Sequence, residues 1–468
     1  MLRHKVRAEE GAALDLRAAL ATLRDCPADA GQFLLKDGFS PDAACTDFAY
    51  AHAGVPARPR SGSEPAVIYR QPHGPDLLLG LYGCEHRLKH WMPGLRGRPL
   101  PEACATLAPI PPVVAPVQHD SWEGVDLARL PFPRATARDA GPYITMGFVM
   151  TGQQGPGLAL SAHRMLVLDD RRLAIFMLTS RHLRHRAQAA WSRGEDLPVT
   201  INIGVPPAVA VASATATAHL PPGMDKLSLA GALGGAPVAL SGGDAPCLAQ
   251  SEFVLHGRLT PQTCAETLGD RPAGVTMPEF LGYDGHAGPP LQVIEVTAIT
   301  QRPGAILQAT LGPGREQCAI LGLGGALAQS LALAARGGLS QIADLRYAMA
   351  GGGMLMLYVA LRPDAARQLD LARLARRLIE VMPFTKTIVF TDDDVNLACD
   401  EDVLWAMTTR CNLAQDTHAI DGLRPLRMDP SQTEDWHAAR GGAVPTRAWI
   451  DATRPAALRA AATRSFDG

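Results

Sequence analysis

The chain has 468 residues, of which 47% are hydrophobic, 19% charged and only 5% aromatic, and its formal net charge at pH 7 is -2. That length predicts two or three domains rather than one core, and the near-neutral balance argues against a polyanion-binding surface and so against nucleic acid as a partner. Nine cysteines stand singly with no CxxC pair, which argues against a disulfide framework or a thiolate zinc site and predicts a reducing, cytoplasmic location. The N-terminus carries Glu9, Glu10 and Asp15 where a signal peptide needs an apolar core. No apolar run reaches the roughly eighteen residues of a membrane span.

Residues 14–24, "LDLRAALATLR", have helical spacing and stop at Cys26-Pro27. "AVIYR" and "DLLLGLYG" read as strands separated by the turn "QPHGPD". The proline-rich "LAPIPPVVAPVQHD" (107–120) is the first candidate linker. From about Leu130 to Thr300 the chain is a series of short apolar segments punctuated by Gly and Pro, which predicts a β-barrel or compact sheet. Within it, "SAHRMLVLDDRRLAIFMLTSRH" (161–182) reads as a hairpin, with two apolar runs flanking the charged turn "DDRR". His163-Arg164 at its entry and Ser180-Arg181-His182 at its exit are unusual ends for so apolar a hairpin. Either they reach solvent, or they hold an arginine and a histidine over an anion.

"LPVTINIGVPPAVAVASATA" is a strand, a Pro-Pro break and an alanine-rich helix. After Thr300 the pattern becomes α/β: an amphipathic helix "LARLARRLIEVM" (371–382), a strand "TKTIVF" and a helix "EDVLWAMTTR". "TDDDVN" places three adjacent carboxylates after that strand, a cluster that suits a divalent cation. Calcium-loop spacing is absent, however, and aspartates favour a helix start, so a structural turn is expected. "GPGRE" and "GLGGALAQS" match no full dinucleotide or Walker pattern.

Ten blocks then occur in one order: "LPFPRATARDAGPYIT", "SAHRMLV", "LPVTINIGVPPA", "LAGALGGAPV", "SEFVLHG", "PEFLGY", "VTAITQRPGAI", "FTKTIVFTDDDVN", "DVLWAMTTR" and "WIDAT". In these the chain resembles the UbiD family of decarboxylases, carboxy-lyases that act mostly on aromatic, heteroaromatic or α,β-unsaturated acids with prenylated FMN. The resemblance implies an N-terminal α/β domain (1–125), a central split β-barrel that holds the flavin (126–300) and a C-terminal α/β domain (301–468) that builds a homodimer. It also implies a flavin prenyltransferase as supplier of the cofactor, and Mn²⁺ or Mg²⁺ with K⁺ at the flavin phosphate.

Residue by residue, the family's arginine matches Arg164, whose fork would grip a substrate carboxylate. The glutamate that returns the proton matches Glu279. The family's other glutamate falls at Gly274. Of three divalent-metal ligands only His182 is matched, since the other two positions are Ala159 and Lys226, with Asp225 adjacent. A methyl and an ammonium do not ligate Mg²⁺ or Mn²⁺, so His182, Lys226 and Lys386 are expected to form a metal-free anion site for the cofactor. Arg315 is a candidate reader of a second substrate carboxylate. Two alternatives remain open: a partner subunit beside a paralogous, catalytically intact chain, and an enzyme of this fold that does not use prenylated FMN.

Overall fold

The computed structural model describes residues 14–25, 31–53, 63–153, 158–177, 182–243, 245–268, 275–312, 314–338, 340–363, 369–426, 428–442, 447–458 and 464–465. The chain divides into two compact units. One holds residues 1–96, 108–214 and 223–320, and the other residues 97–107, 215–222 and 321–468.

The first unit is built on a closed six-stranded antiparallel barrel, as the strand-rich text predicts. Its strands run in the order Phe253–Cys264, Leu197–Ile203, Tyr143–Thr151, Ala159–Val167, Arg172–Ile175 and Leu291–Gln301, and the last pairs back onto the first. Closure removes every free edge among these strands. At the seam a β-bulge falls between His256 and Gly257. A Cβ at Gly257 would stand 2.5 Å from the Glu295 carbonyl oxygen, so only glycine lets the two strands meet there. The period-2 alternation sends Met165, Val167, Leu173 and Ile175 to the main core, together with Ile201, Phe253 and Ile294. Leu166 and Ala174, on the opposite face, join Ala140, Tyr143, Met277 and Leu291 in a smaller cluster.

A four-stranded sheet belongs to the same unit: Phe33–Lys36, Ala66–Tyr69, Asp76–Leu79 and Ile306–Gln308. Its middle pair is the two strands expected on either side of "QPHGPD", and they run antiparallel. Val67, Tyr69, Leu77 and Leu79 share the main core with the barrel residues, which is why this sheet has no core of its own. The N-terminal helix, Leu16–Arg24, is capped by the Asp15 side chain and buries Leu16, Ala19, Leu20 and Leu23. The proline-rich stretch read as a linker is tied down instead, with Val113–Val114 pairing beside Ala239–Leu240.

The second unit carries a five-stranded sheet in the order Ile342–Tyr347, Met356–Leu361, Thr387–Asp392, Arg447–Asp451 and Thr417–Ile420. The helix Leu371–Val381 lays Leu371, Leu374, Ala375, Leu378 and Ile379 inward at helical spacing. The helix Arg315–Ala334 is 20 residues long and by length and composition apolar enough to cross a membrane, the one exception to the sequence expectation among the described residues. Of its most apolar window, 83% is buried inside the protein, the signature of a core helix.

Candidate active site

Arg164 owes its placement to an irregularity in the hairpin. On the neighbouring strand Ile144 pairs with Met165 and Gly147 with His163, so Thr145 and Met146 together stand opposite Arg164. Such a bulge re-aims the side chain facing it. By parity with Leu166, Arg164 looks onto the smaller apolar cluster. Its guanidinium lies 4.9 Å from the centre of the Phe176 ring. Its Nη2 donates to Glu266 Oε2 at 3.3 Å and stands 3.2 Å from Oε1. Tyr143 Oη donates to the same carboxylate at 3.2 Å.

Glu266 is only 3% exposed, and an ion pair sunk in an apolar cluster loses much hydration on folding. Burial and the adjacent Glu266 charge push the Tyr143 phenol far above its ordinary value, so the hydroxyl keeps its proton and serves as a donor. Arg164 Nε is buried and meets no acceptor among the described residues. One donor of the guanidinium therefore faces the cluster unmatched. Neither Glu266 nor Tyr143 stands out in the sequence. A glutamate in "TCAETLG" just past a strand carries no pattern of its own.

Glu279 sits on a turn that the two short strands Val275–Thr276 and Gly285–His286 close. Its amide donates to the Tyr283 carbonyl at 2.9 Å, and the Gly282 amide donates back to Glu279 O at 2.9 Å. Gly282, at φ 88°, supplies the left-handed backbone this turn requires. A Cβ at Gly285 would collide with the Met277 carbonyl. Met277 packs with Tyr143 in the smaller cluster, so the turn bearing Glu279 is anchored to the residue that holds Glu266. Outside the cluster, Arg138 and Asp284 form an ion pair that ties the same turn to the 130–140 segment. Gly274, the position matched to the family's other glutamate, lies outside the described residues, as do Ser180 and Arg181.

His182 opens the helix His182–Trp191. Its imidazole is held below its ordinary pKa by burial, and then by the charges of Arg186, His185 and Lys226. Arg186 Nε lies 3.4 Å from His182 Nε2. Among the described residues the charges acting on His182 are positive, which brings His182 and Lys226 into one cationic neighbourhood. Lys226 begins the helix Lys226–Gly234 and donates from Nζ to the Ser213 carbonyl at 2.6 Å. Asp225 is the N-cap of that helix and accepts from Ser228 N at 2.7 Å, which commits its carboxylate to the backbone. Ala159 heads the strand Ala159–Val167. At the three positions that the resemblance matches to metal ligands stand a methyl, an imidazole and an ammonium, a donor set that does not fit a divalent cation.

Lys386 lies in the second unit, where its ammonium is 2.6 Å from Asp429 and donates to Ser431 Oγ at 2.7 Å. Arg315 starts the helix Arg315–Ala334 with its amide donating to Glu64. The acidic turn is held by cations. Arg410 reaches Asp394 at 2.5 and 2.8 Å and Asp392 at 3.4 Å, Arg454 binds Asp392 at 3.1 Å and Arg464 binds Asp402 at 2.8 Å. The structural expectation for "TDDDVN" holds. Among the described residues no group of three His, Cys, Asp or Glu is placed to hold a metal ion.

Comparison with known proteins settles the family. Residues 111–316 match the 3-octaprenyl-4-hydroxybenzoate carboxy-lyase Rift-related domain, and residues 322–452 match the C-terminal domain of the same carboxy-lyases. A gallate decarboxylase of Lactiplantibacillus plantarum is 31% identical over 467 residues, covering 94% of each chain. The chain belongs to the UbiD family. It is a carboxy-lyase, as its UbiD relatives are. The apo 3,4-dihydroxybenzoic acid decarboxylase of Klebsiella pneumoniae superposes with a TM-score of 0.86 at 29% identity over 97% of both chains. A UbiD-class enzyme of Pelotomaculum thermopropionicum, solved in complex with FMN, superposes with a TM-score of 0.78 at 25% identity, again over 97% of both chains.

Proposed function

We propose that this UbiD-family chain is a non-oxidative decarboxylase of a hydroxylated aromatic acid that works with prenylated FMN. The observation that carries the reading is the half-buried Arg164 paired with the buried Glu266, with Arg164 Nε meeting no acceptor among the described residues. A guanidinium already tethered by Glu266 and stacked on Phe176 is oriented before substrate arrives, so little is lost in ordering it when a carboxylate docks. The relatives act on gallate and 3,4-dihydroxybenzoic acid, and the apolar wall of Phe176, Leu268, Met277 and Leu291 suits an aromatic ring.

In the proposed reaction Arg164 fixes the substrate carboxylate and Glu266 keeps the guanidinium from following the departing CO₂. When bound, the flavin supplies the electron sink that carbon–carbon cleavage needs. Glu279, as the acid, delivers its proton to the ring carbon that has lost CO₂ and takes a replacement from solvent. His182 and Lys226 would hold the cofactor's phosphate through charge rather than through a divalent metal. The eight free cysteines among the described residues support a reducing, cytoplasmic setting. A homodimer completes the reading, to be checked by native mass.

The test is CO₂ release from 3,4-dihydroxybenzoate and 3,4,5-trihydroxybenzoate by protein loaded through co-expression with a flavin prenyltransferase. Arg164→Ala is expected to lower kcat/KM by about 10³-fold, the equivalent of about 4 kcal/mol. Glu279→Gln should abolish product formation while cofactor content stays at the wild-type level. Wild-type protein that carries the flavin and releases no CO₂ from any aromatic acid would overturn the proposal in favour of a partner subunit.

A further inference from the structure

Two carboxylates that the proposed reaction does not use lie sealed in the first unit. Glu64 is 0% and Glu316 1% exposed. Glu64 caps the start of the helix Arg315–Ala334 from 251 residues away, accepting from Arg315 N at 2.7 Å and from Glu316 N at 3.1 Å. Glu316 in turn accepts from Tyr82 N at 2.9 Å, Gly80 N at 3.1 Å and Gln308 Nε2 at 3.3 Å. The backbone closes tightly around the pair, and a Cβ at Gly83 would come within 2.6 Å of Glu64 Oε2. One carboxylate here serves as a helix cap. Two fully buried carboxylates in adjoining positions exceed what capping requires and are costly unless one is neutral.

The segment that the pair holds at both ends, residues 308–316, leads to the reacting groups. Thr310 N donates to Thr145 Oγ1 at 2.9 Å, and Thr145 is one of the two bulge residues opposite Arg164. Gly312 lies so close to the Glu279 turn that a Cβ there would stand 2.8 Å from the Pro278 carbonyl oxygen. Gln308, bonded to Glu316, ends the strand that enters the segment. Arg164 and Glu279 are therefore braced through one strap, held at Gln308 by Glu316 and at the Arg315 and Glu316 amides by Glu64.

We propose that Glu64 and Glu316 hold a single proton between them and act as positioning residues, fixing the 308–316 strap so that the Arg164 bulge and the Glu279 turn keep their working geometry only while that proton is present. For its kinetic consequence this rests on the decarboxylase reading; for the proton itself it does not. Burial, reinforced by the Glu316 charge, lifts the Glu64 carboxyl to about 8 against the pull of the Arg315 and Glu316 amides, and burial lifts Glu316 as well. The other titratable groups around the pair are Tyr82, whose phenol burial pushes far up, Cys318, pushed up to about 12, and Arg315, which draws Glu64 down. Arg87 spends donors on the Glu64, Gly80 and Leu81 carbonyls.

The sign follows directly. A carboxyl whose folded pKa is raised holds a proton that the unfolded chain has lost, so its contribution to stability falls as pH rises from about 4.5 to about 8. Difference infrared spectroscopy of the intact protein should show a protonated-carboxyl C=O band at pH 7 that disappears with a midpoint near 8 and is missing in Glu64→Gln. In the loaded enzyme kcat should fall about tenfold from pH 7 to pH 9 at steady KM, because one pH unit above the midpoint leaves about one-tenth of the pairs protonated. Glu64→Gln, or Glu316→Gln should the first variant fail to fold, should flatten that fall and remove the loss of thermal stability over the same range. Absence of the infrared band at neutral pH, or an unchanged alkaline limb in the folded variants, would overturn the proposal. A titrating band in a protein that releases no CO₂ would instead count against the decarboxylase reading alone.

Discussion

Two charged clusters of this chain look misleading in sequence and separate clearly in space. "TDDDVN" resembles a cation site, yet its Asp392 and Asp394 are met by Arg410 and Arg454, and Arg464 binds the neighbouring Asp402. The hairpin exit at His182 reads in sequence as reaching solvent or holding an anion, and among the described residues the charges that shift His182 are those of Arg186, His185 and Lys226. The first cluster is balanced by its own side chains and holds the second unit's acidic turn to its neighbours. In the second, the described charges that act on His182 are positive, a setting in which an anion would bind favourably. Whether a cluster is structural or a binding site is decided by this balance, and the balance depends on residues far away in the chain.

The comparison can be broken most forcefully at Arg410, whose side chain is 2% exposed. Arg410→Ala takes the shortest ion-pair partner from Asp394 and one of two arginines from Asp392, which Arg454 still binds, and is expected to cost on the order of 3 kcal/mol, read as a lowered thermal midpoint with affinity for FMN unchanged. A smaller effect is expected in the unbalanced cluster. Lys226→Ala should weaken FMN binding by about 10- to 100-fold, as loss of a charge-assisted hydrogen bond does, with thermal stability of the cofactor-free protein little altered. The weakening should shrink as salt is raised. The smallest effect belongs to His182. Burial and the neighbouring positive charges hold its imidazole below the ordinary histidine value, so its NMR titration midpoint should rise in Lys226→Ala, where one of those charges is gone. A midpoint that stays put would remove Lys226 from the cluster.

Much of the fold was legible because local pattern and tertiary burial agree. The hairpin around "DDRR", the barrel strands and the helix Leu371–Val381 each carry the period of the surface they bury. Barrel closure was expected in kind, but its register was not readable, because the bulges at Ile144/Gly147 and His256/Gly257 shift pairing without a signal beyond a glycine. The site divides in the same way. Arg164 stands out as a cation at the end of an apolar run, and Glu279 is marked by the turn "PEFLGY". Glu266 was invisible, since its partnership with Arg164 spans 102 residues and exists only once the barrel has closed. Lys386 was assigned to the cofactor phosphate on resemblance, whereas the structure gives its charge to Asp429.

Glu266 is therefore the residue on which the account depends most. Glu266→Gln keeps the shape of the side chain and its bond to Tyr143 while removing the charge that orients Arg164. The measurement to make is kcat/KM for CO₂ release by this variant, loaded with prenylated FMN and compared with wild type at equal cofactor content. A fall of about 10²-fold or more, equivalent to about 3 kcal/mol, with flavin binding unchanged is the predicted result. Wild-type turnover in Glu266→Gln would contradict the claim that the Arg164–Glu266 pair is the reacting centre.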